Sequence, residues 1–198
     1  CIRDRGVNMK YLCIFPVLAL LAISGVVGLA QQAELAKEQV LDIAFDAGDI
    51  QSLDPHFATT TMDRSIVNAI FNGLVRYPPG NQATFEPDIA ESWEVSSDGR
   101  VWTFHLRKGV KFHSWGGHPG YELTSEDVVY SLNKAADPSR SAYAGEYTGM
   151  TFEAVDPYTV RIALEQPISP TLFLAKVANN QGGFIVCKRA LEEKGDAW

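Results

Sequence analysis

Apolar positions recur in two rhythms along this chain. Leu41, Ile43 and Phe45 alternate with Asp42 and Ala44, the period of a half-buried strand beginning at Val40. Leu53-Asp54-Pro55-His56 reads as a turn, because the residue before proline is pushed out of the helical region. Ile66, Val67, Ile70, Phe71 and Leu74 then fall at helical spacing. They predict a helix capped by Thr61 or Asp63 and ended at Asn72-Gly73, where glycine takes a left-handed cap. Asp98-Gly99 between Trp93–Val95 and Val101–Leu106 predicts a hairpin with Trp102, Phe104 and Leu106 on one face. Thr124-Ser125-Glu126-Asp127 is a capping box with Asp in the third position. It opens a helix with an apolar stripe of Val128, Val129, Leu132, Ala135 and Ala136, stopped by Asp137-Pro138. A second strand pair, Thr151–Val155 and Thr159–Glu165, brackets Asp156-Pro157. Pro170 to Val177 predicts a short apolar helix, Phe184 to Cys187 a short strand, and Lys188 to Lys194 a helix ended by Gly195. Strands and helices without strict βαβ alternation give a mixed α/β, or α+β, class.

The first 30 residues follow neither rhythm. Cys1 to Asn8 precede an internal Met9, a plausible true start, so residues 1–8 read as a non-native leader. Lys10 supplies a positive charge, Tyr11 to Ala30 carries none, and Gly28-Leu29-Ala30 offers small residues for cleavage. Residues 9–30 therefore read as a secretory signal peptide, with the mature segment 31–198 starting near Gln31. A retained membrane anchor is the competing reading, but Pro16, Ser24 and Gly25 interrupt the apolar run and no basic cluster follows it. Cys13 lies too early for a lipid-modified cysteine, and only Cys187 remains after processing.

Composition narrows the function. The 198 residues are 46% hydrophobic and 21% charged, close to a globular average. The 17 Lys and Arg against 24 Asp and Glu give a net charge of -7. Arg3, Arg5 and Lys10 against Asp4 put +2 of this on the leader, which leaves -9 on the mature segment. Such a surface repels phosphate backbones, so no nucleic-acid partner is expected.

No Gly-x-Ser-x-Gly elbow, Walker loop, Gly-x-Gly-x-x-Gly or His-Glu-x-x-His motif occurs. His56, His105, His113 and His118 read as surface or turn residues. His113 and His118 are five apart without two further ligands at recognisable spacing, so no metal is expected. Glu126 and Asp127 suit a helix N-terminus, and Glu91, Glu94 and Asp98 surround a hairpin, so no catalytic residue and no cofactor is expected. Trp93 and Trp102 belong to the core. Trp115 and Tyr143 lie in irregular segments, where binding residues concentrate.

A series of segments now points to one family. Gln51-Ser52-Leu53-Asp54-Pro55-His56, Phe71-Asn72-Gly73-Leu74-Val75 and the run from Pro87-Asp88-Ile89-Ala90-Glu91-Ser92-Trp93 to Asp98-Gly99 come first. Trp102-Thr103-Phe104-His105-Leu106-Arg107-Lys108-Gly109-Val110-Lys111-Phe112-His113 and Leu123-Thr124-Ser125-Glu126-Asp127-Val128-Val129-Tyr130-Ser131-Leu132 follow, then Val155-Asp156-Pro157-Tyr158-Thr159-Val160 and Ile185-Val186-Cys187-Lys188. In this order they resemble the family 5 extracytoplasmic solute-binding proteins, the dipeptide-, oligopeptide- and nickel-binding components of ABC importers. Two departures stand out: the Ser114–Glu122 loop is longer than the family's, which makes Trp115 a local novelty, and the chain ends at Trp198 where the family continues into a second lobe.

The resemblance implies a two-lobe periplasmic-binding-protein fold, of which this chain carries the N-terminal part of the first lobe and its accessory α+β region. It implies a monomeric extracytoplasmic binder, not an enzyme, that captures a peptide-like solute and delivers it to the membrane permease subunits of an ABC importer. A secreted hydrolase with a carboxylate pair, or a solute sensor coupled to signalling, is the alternative. It implies that Thr59, Thr60 and Thr61 run along the ligand and pair with it as an added strand. It also implies that Tyr143, in Ser141-Ala142-Tyr143-Ala144, packs its ring on the ligand and offers a hydroxyl. Residues 31–198 alone are expected to pack loosely and bind no peptide tightly, with an unpaired sheet edge and exposed apolar surface near Phe184–Cys187.

Overall fold

A computed structural model describes Ala44, Gly48 and residues 50–178 and 182–196. The leader, the signal segment 9–30 and the strand expected from Val40 lie outside the described residues.

The predicted hairpin forms as β3 (Ala90–Val95) and β4 (Val101–Leu106). It follows a two-stranded antiparallel pair, β1 (Val75–Arg76) and β2 (Glu86–Pro87). Gly99 supplies the turn's left-handed residue at φ 72°, and the Ser96 N–H closes the turn on Val101 O at 2.8 Å. The second strand pair, β5 (Met150–Asp156) and β6 (Thr159–Leu164), joins it to make an antiparallel sheet in the order β3-β4-β6-β5. Register places Trp93 and Val160 on either side of Phe104, and Ile162 beside Trp102. The period of two therefore buries one face, with Trp102, Phe104, Leu106, Val160, Ile162 and Leu164 in the core.

Two helices cover that face. The capping box starts α2 (Ser125–Ala136), where the Thr124 N–H donates to Asp127 Oδ2 at 3.0 Å. Val128, Leu132 and Ala135 of α2 are fully buried, and the helix packs on β5 and β6. Helix α3 (Pro170–Val177) carries Pro170 in its first turn, and its Phe173 stacks on Trp102 with ring centres 4.4 Å apart. A 3₁₀ turn, Ala144–Tyr147, stands between α2 and β5 and buries Tyr147, whose hydroxyl donates to Lys176 O at 2.7 Å. Helix α4 (Lys188–Lys194) ends at Gly195, φ 82°. Among the described residues no helix is long and apolar enough to cross a membrane.

The structure corrects two local expectations. Helix α1 spans Thr61–Ile70, with Thr60 as its cap: the Thr60 hydroxyl accepts the Asp63 N–H at 3.1 Å. Phe71 is already extended, Gly73 bridges Phe184, and the Leu74 N–H donates to Val177 O at 3.0 Å. Leu74 thus leaves the helix face for the main core, because those long-range partners outbid one more helical turn. Phe184–Cys187 is not a strand. Phe184 makes one bridge, the Ile185 N–H donates to Asn72 O at 2.9 Å, and the Val186 N–H donates to Ser131 Oγ at 2.9 Å. Phe184, Ile185 and Val186 are all buried, so the exposed apolar edge expected there does not form.

Candidate functional site

The Asp54-Pro55-His56 turn is fastened to α2 by a buried ammonium group. Lys134 is completely shielded from solvent. Its Nζ reaches three acceptors: Asp54 Oδ2 at 2.8 Å, His56 Nδ1 at 3.3 Å and Arg140 O at 3.2 Å. An ammonium only donates, so His56 Nδ1 must accept and the ring proton sits on Nε2, which donates to Phe184 O at 3.2 Å. Burial first, and the Lys134 charge second, push the His56 imidazole down to about 4. Asp54 also takes the His56 N–H on Oδ1 at 2.9 Å. Farther along, Arg140 grips Asp196 through Nε and Nη2 at 2.5 and 2.8 Å, which holds the Asp196 carboxyl below the usual range.

The sequence predicts His56 in a turn or at the surface; it is in the turn but buried. Lys134 matches no motif in the sequence. The available signal was its spacing, since Lys134 lies three residues after Ser131 and seven after Asp127, both on the buried side of α2.

Beyond the turn, residues 141–143 hold the next stretch of chain. The Ala142 N–H donates to His56 O at 2.9 Å, and the Tyr143 hydroxyl donates to Ala58 O. Thr60 and Thr61 are taken into the start of α1, where Thr60 O accepts the Arg64 N–H at 3.1 Å. Thr59 is exposed between these two anchored pieces. The structure therefore brings Tyr143 against the threonine segment from a sequence distance of 85 positions to Ala58. Of the three threonines, Thr59 alone keeps its backbone out of both the turn and the helix. Tyr143 is half-buried, and the Arg64 guanidinium lies over its ring, 6.0 Å from the centre.

A cleft of 520 Å³ runs beside the turn, lined by residues that include Leu53, Phe57, Phe71, Leu191 and Asp196. A neighbouring groove of 280 Å³ is closed on one side by the lengthened loop. There Trp115 and His118 close a tight turn through Gly116 and Gly117 and stack at 4.4 Å. Cys187, half-buried, lines both and lies 3.8 Å from the Tyr121 hydroxyl. That hydroxyl donates to Asp127 Oδ1; burial first and this bond second raise its pKa well above the ordinary phenol value.

The family model for bacterial extracellular solute-binding proteins, family 5 middle, matches residues 84–189. The chain is 33% identical over 177 residues to Di/tripeptide-binding protein 2 of Pseudomonas aeruginosa, covering 81% of this chain and 32% of that one. It is 30% identical over 184 residues to the periplasmic oligopeptide-binding protein OppA of Escherichia coli, covering 83% and 32%. Among solved structures, the binding protein MoaA of A. tumefaciens in complex with mannopinic acid superposes with a TM-score of 0.66 at 49% identity, covering 75% of this chain and 29% of that one. The periplasmic binding protein DppA of Helicobacter pylori in complex with the peptide STSA gives a TM-score of 0.65 at 30% identity, covering 74% and 31%. The chain thus spans about a third of the length of the relatives it matches. The names of those relatives describe binding proteins, and the Helicobacter pylori one is associated with an ABC transporter.

Proposed function

Because this chain belongs to the family 5 bacterial extracellular solute-binding proteins, we propose that it forms part of the ligand-holding lobe of an ABC importer's binding component. In this reading the protein is exported and works outside the cytoplasm as a monomer. It captures a peptide-like solute and passes it to membrane permease subunits without chemical change. Closure of two lobes around the solute is the general mechanism for such proteins, and contacts from both exclude water.

The observation that carries the reading is the clamped segment Asp54–Ala58, which presents Thr59 beside the half-buried ring of Tyr143. A rigid support with one exposed backbone unit and an aromatic face suits an extended, peptide-like ligand. The likeness to a mannopinic-acid complex at 49% identity favours a second reading, in which the solute is a small acidic compound of that kind.

One experiment separates these readings from a hydrolase. The full-length protein is purified, its bound solute is released by denaturation, and the solute is identified by mass spectrometry. It is then titrated calorimetrically with di- and tripeptides and with mannopinic acid. Stoichiometric binding of an unaltered solute is expected. Turnover of peptides into fragments would overturn the binder.

A further inference from the structure

Arg64 is the cation among the described residues that the fold leaves unused in a shielded place. Its Nε is cut off from solvent and has no hydrogen-bond partner. None of the ion pairs among the described residues includes it, whereas Lys134, Arg140, Arg161, Lys176 and Lys188 each meet a carboxylate. The neighbouring Asp63 makes no ion pair with it: its Oδ1 takes the Gln51 N–H at 2.9 Å, and its buried Oδ2 meets no donor. A guanidinium with an unmet, desolvated donor is costly to keep and attracts a planar anion strongly.

The position of this group is fixed by two contacts already described. Its backbone is one helical turn beyond Thr60, to which its N–H is bonded at 3.1 Å. Its guanidinium lies 6.0 Å from the centre of the Tyr143 ring, and the hydroxyl of that ring is bonded to Ala58 O. Arg64, Tyr143 and the exposed Thr59 therefore surround one patch of surface. We propose that Arg64 is the carboxylate-binding residue of this site: it pairs with an acid group of the solute while Tyr143 packs against the adjoining part and Thr59 meets its backbone. The proposal rests on the binder reading and narrows the solute to one carrying a carboxylate at that end. Arginine suits the task because its fork makes two parallel, charge-assisted bonds to a carboxylate, and stacking on the tyrosine orients it beforehand.

The test uses the full-length protein and two anionic probes: the free-acid peptide STSA, with its C-terminal amide as the neutral control, and mannopinic acid. Wild type is expected to bind an anionic probe at least tenfold more tightly than Arg64→Gln does. Where the peptide is the ligand, the preference for acid over amide should collapse toward unity in the variant. Arg64→Lys keeps the charge without the fork and should recover part of the loss, which also guards against a folding defect in Arg64→Gln. Equal affinities of wild type and Arg64→Gln for every probe that binds would overturn the role of Arg64 and leave the binder reading intact. Failure of wild type to bind any of the probes, peptide or acid, would overturn the underlying reading of the solute itself.

Discussion

The ammonium of Lys134 lies 2.8 Å from Asp54 Oδ2 across 80 positions of sequence, with the lysine fully shielded and the aspartate side chain 19% exposed. The pair joins a loop to the last turn of α2, and its members cannot relax independently. Replacing Lys134 with Met should leave Asp54 half-shielded without a partner and His56 Nδ1 without a donor. Losing one partner of a buried pair costs about 3–5 kcal/mol, and the residual solvent at Asp54 places this one near the lower end. A shift of the urea midpoint of the full-length protein measures it; a change below about 1 kcal/mol would mean that the pair is not holding the turn.

The buried imidazole makes stability depend on acid. His56 is lowered from 6.5 to about 4 in the fold, burial being the main cause and Lys134 the next. Its neutral form is the one the fold accepts. The contribution is complete above pH 6.5 and is lost as pH falls from there through about 4, where the unfolded chain takes up a proton before the folded one does. The groups facing this ring are Lys134, Asp54 and Arg140. The loss should be on the order of 3 kcal/mol at most. Melting of the full-length protein at pH 7.5 and at pH 4.5 should show a steeper decline for wild type than for His56→Gln. Parallel slopes would remove His56 from the explanation.

Tyr143 has two separable contributions. Tyr143→Phe deletes only the bond to Ala58 O and should reduce stability by about 0.5–1.5 kcal/mol. Tyr143→Ala also removes the ring under Arg64 and, in the proposed site, should weaken solute binding by about 1–3 kcal/mol. Calorimetric titration of the two variants side by side tells support from contact. Identical dissociation constants for Tyr143→Ala and wild type would exclude the ring from the site.

Gly183 is fixed by close approach. A methyl group there would come within 2.2 Å of Ala178 O and 2.7 Å of Lys176 O. Gly183→Ala therefore forces the end of α3 away from the segment that carries Phe184 to Val186. Overpacking of this kind costs about 1–3 kcal/mol, and rigid carbonyl oxygens make the upper part of that range the expectation. Thermal melting should show it; an unchanged melting temperature would mean that the backbone yields freely at this point.

The sheet was legible because its period is short and self-consistent. Trp102, Phe104 and Leu106 share a face, as do Val160, Ile162 and Leu164, and Asp98-Gly99 marks the turn between β3 and β4. Helix α2 was legible for a related reason: its cap, stripe and stop are all local. What could not be read depends on partners far away in sequence. Leu74 continues the helical spacing of α1, yet the bond from its N–H to Val177 O places it elsewhere. Phe184 to Val186 has the composition of a strand, yet its donors go to Asn72 O and Ser131 Oγ. His56 and Lys134 look like ordinary polar residues until the turn and α2 meet. At the site, Thr59, Thr60, Thr61 and Tyr143 were named through family resemblance, and the structure brings the tyrosine against their segment. Arg64 carries no such signal, although it lies one helical turn before the buried Val67.

The bond from the Tyr143 hydroxyl to Ala58 O also sets a limit on length. His56 O and Ala58 O are both occupied from within the fold, and from Thr60 onward the carbonyls turn into the helix. In the proposed site, a ligand laid alongside Thr59 would find the next rung back incomplete, because the Phe57 N–H is spent on Asp54 O, and the next rung on, Thr61, taken into α1. Its alignment is then dictated by a single residue, so sliding by one unit forfeits the whole backbone interaction. Such a rail selects compact solutes over long ones, because added residues gain no further main-chain pairing along this segment.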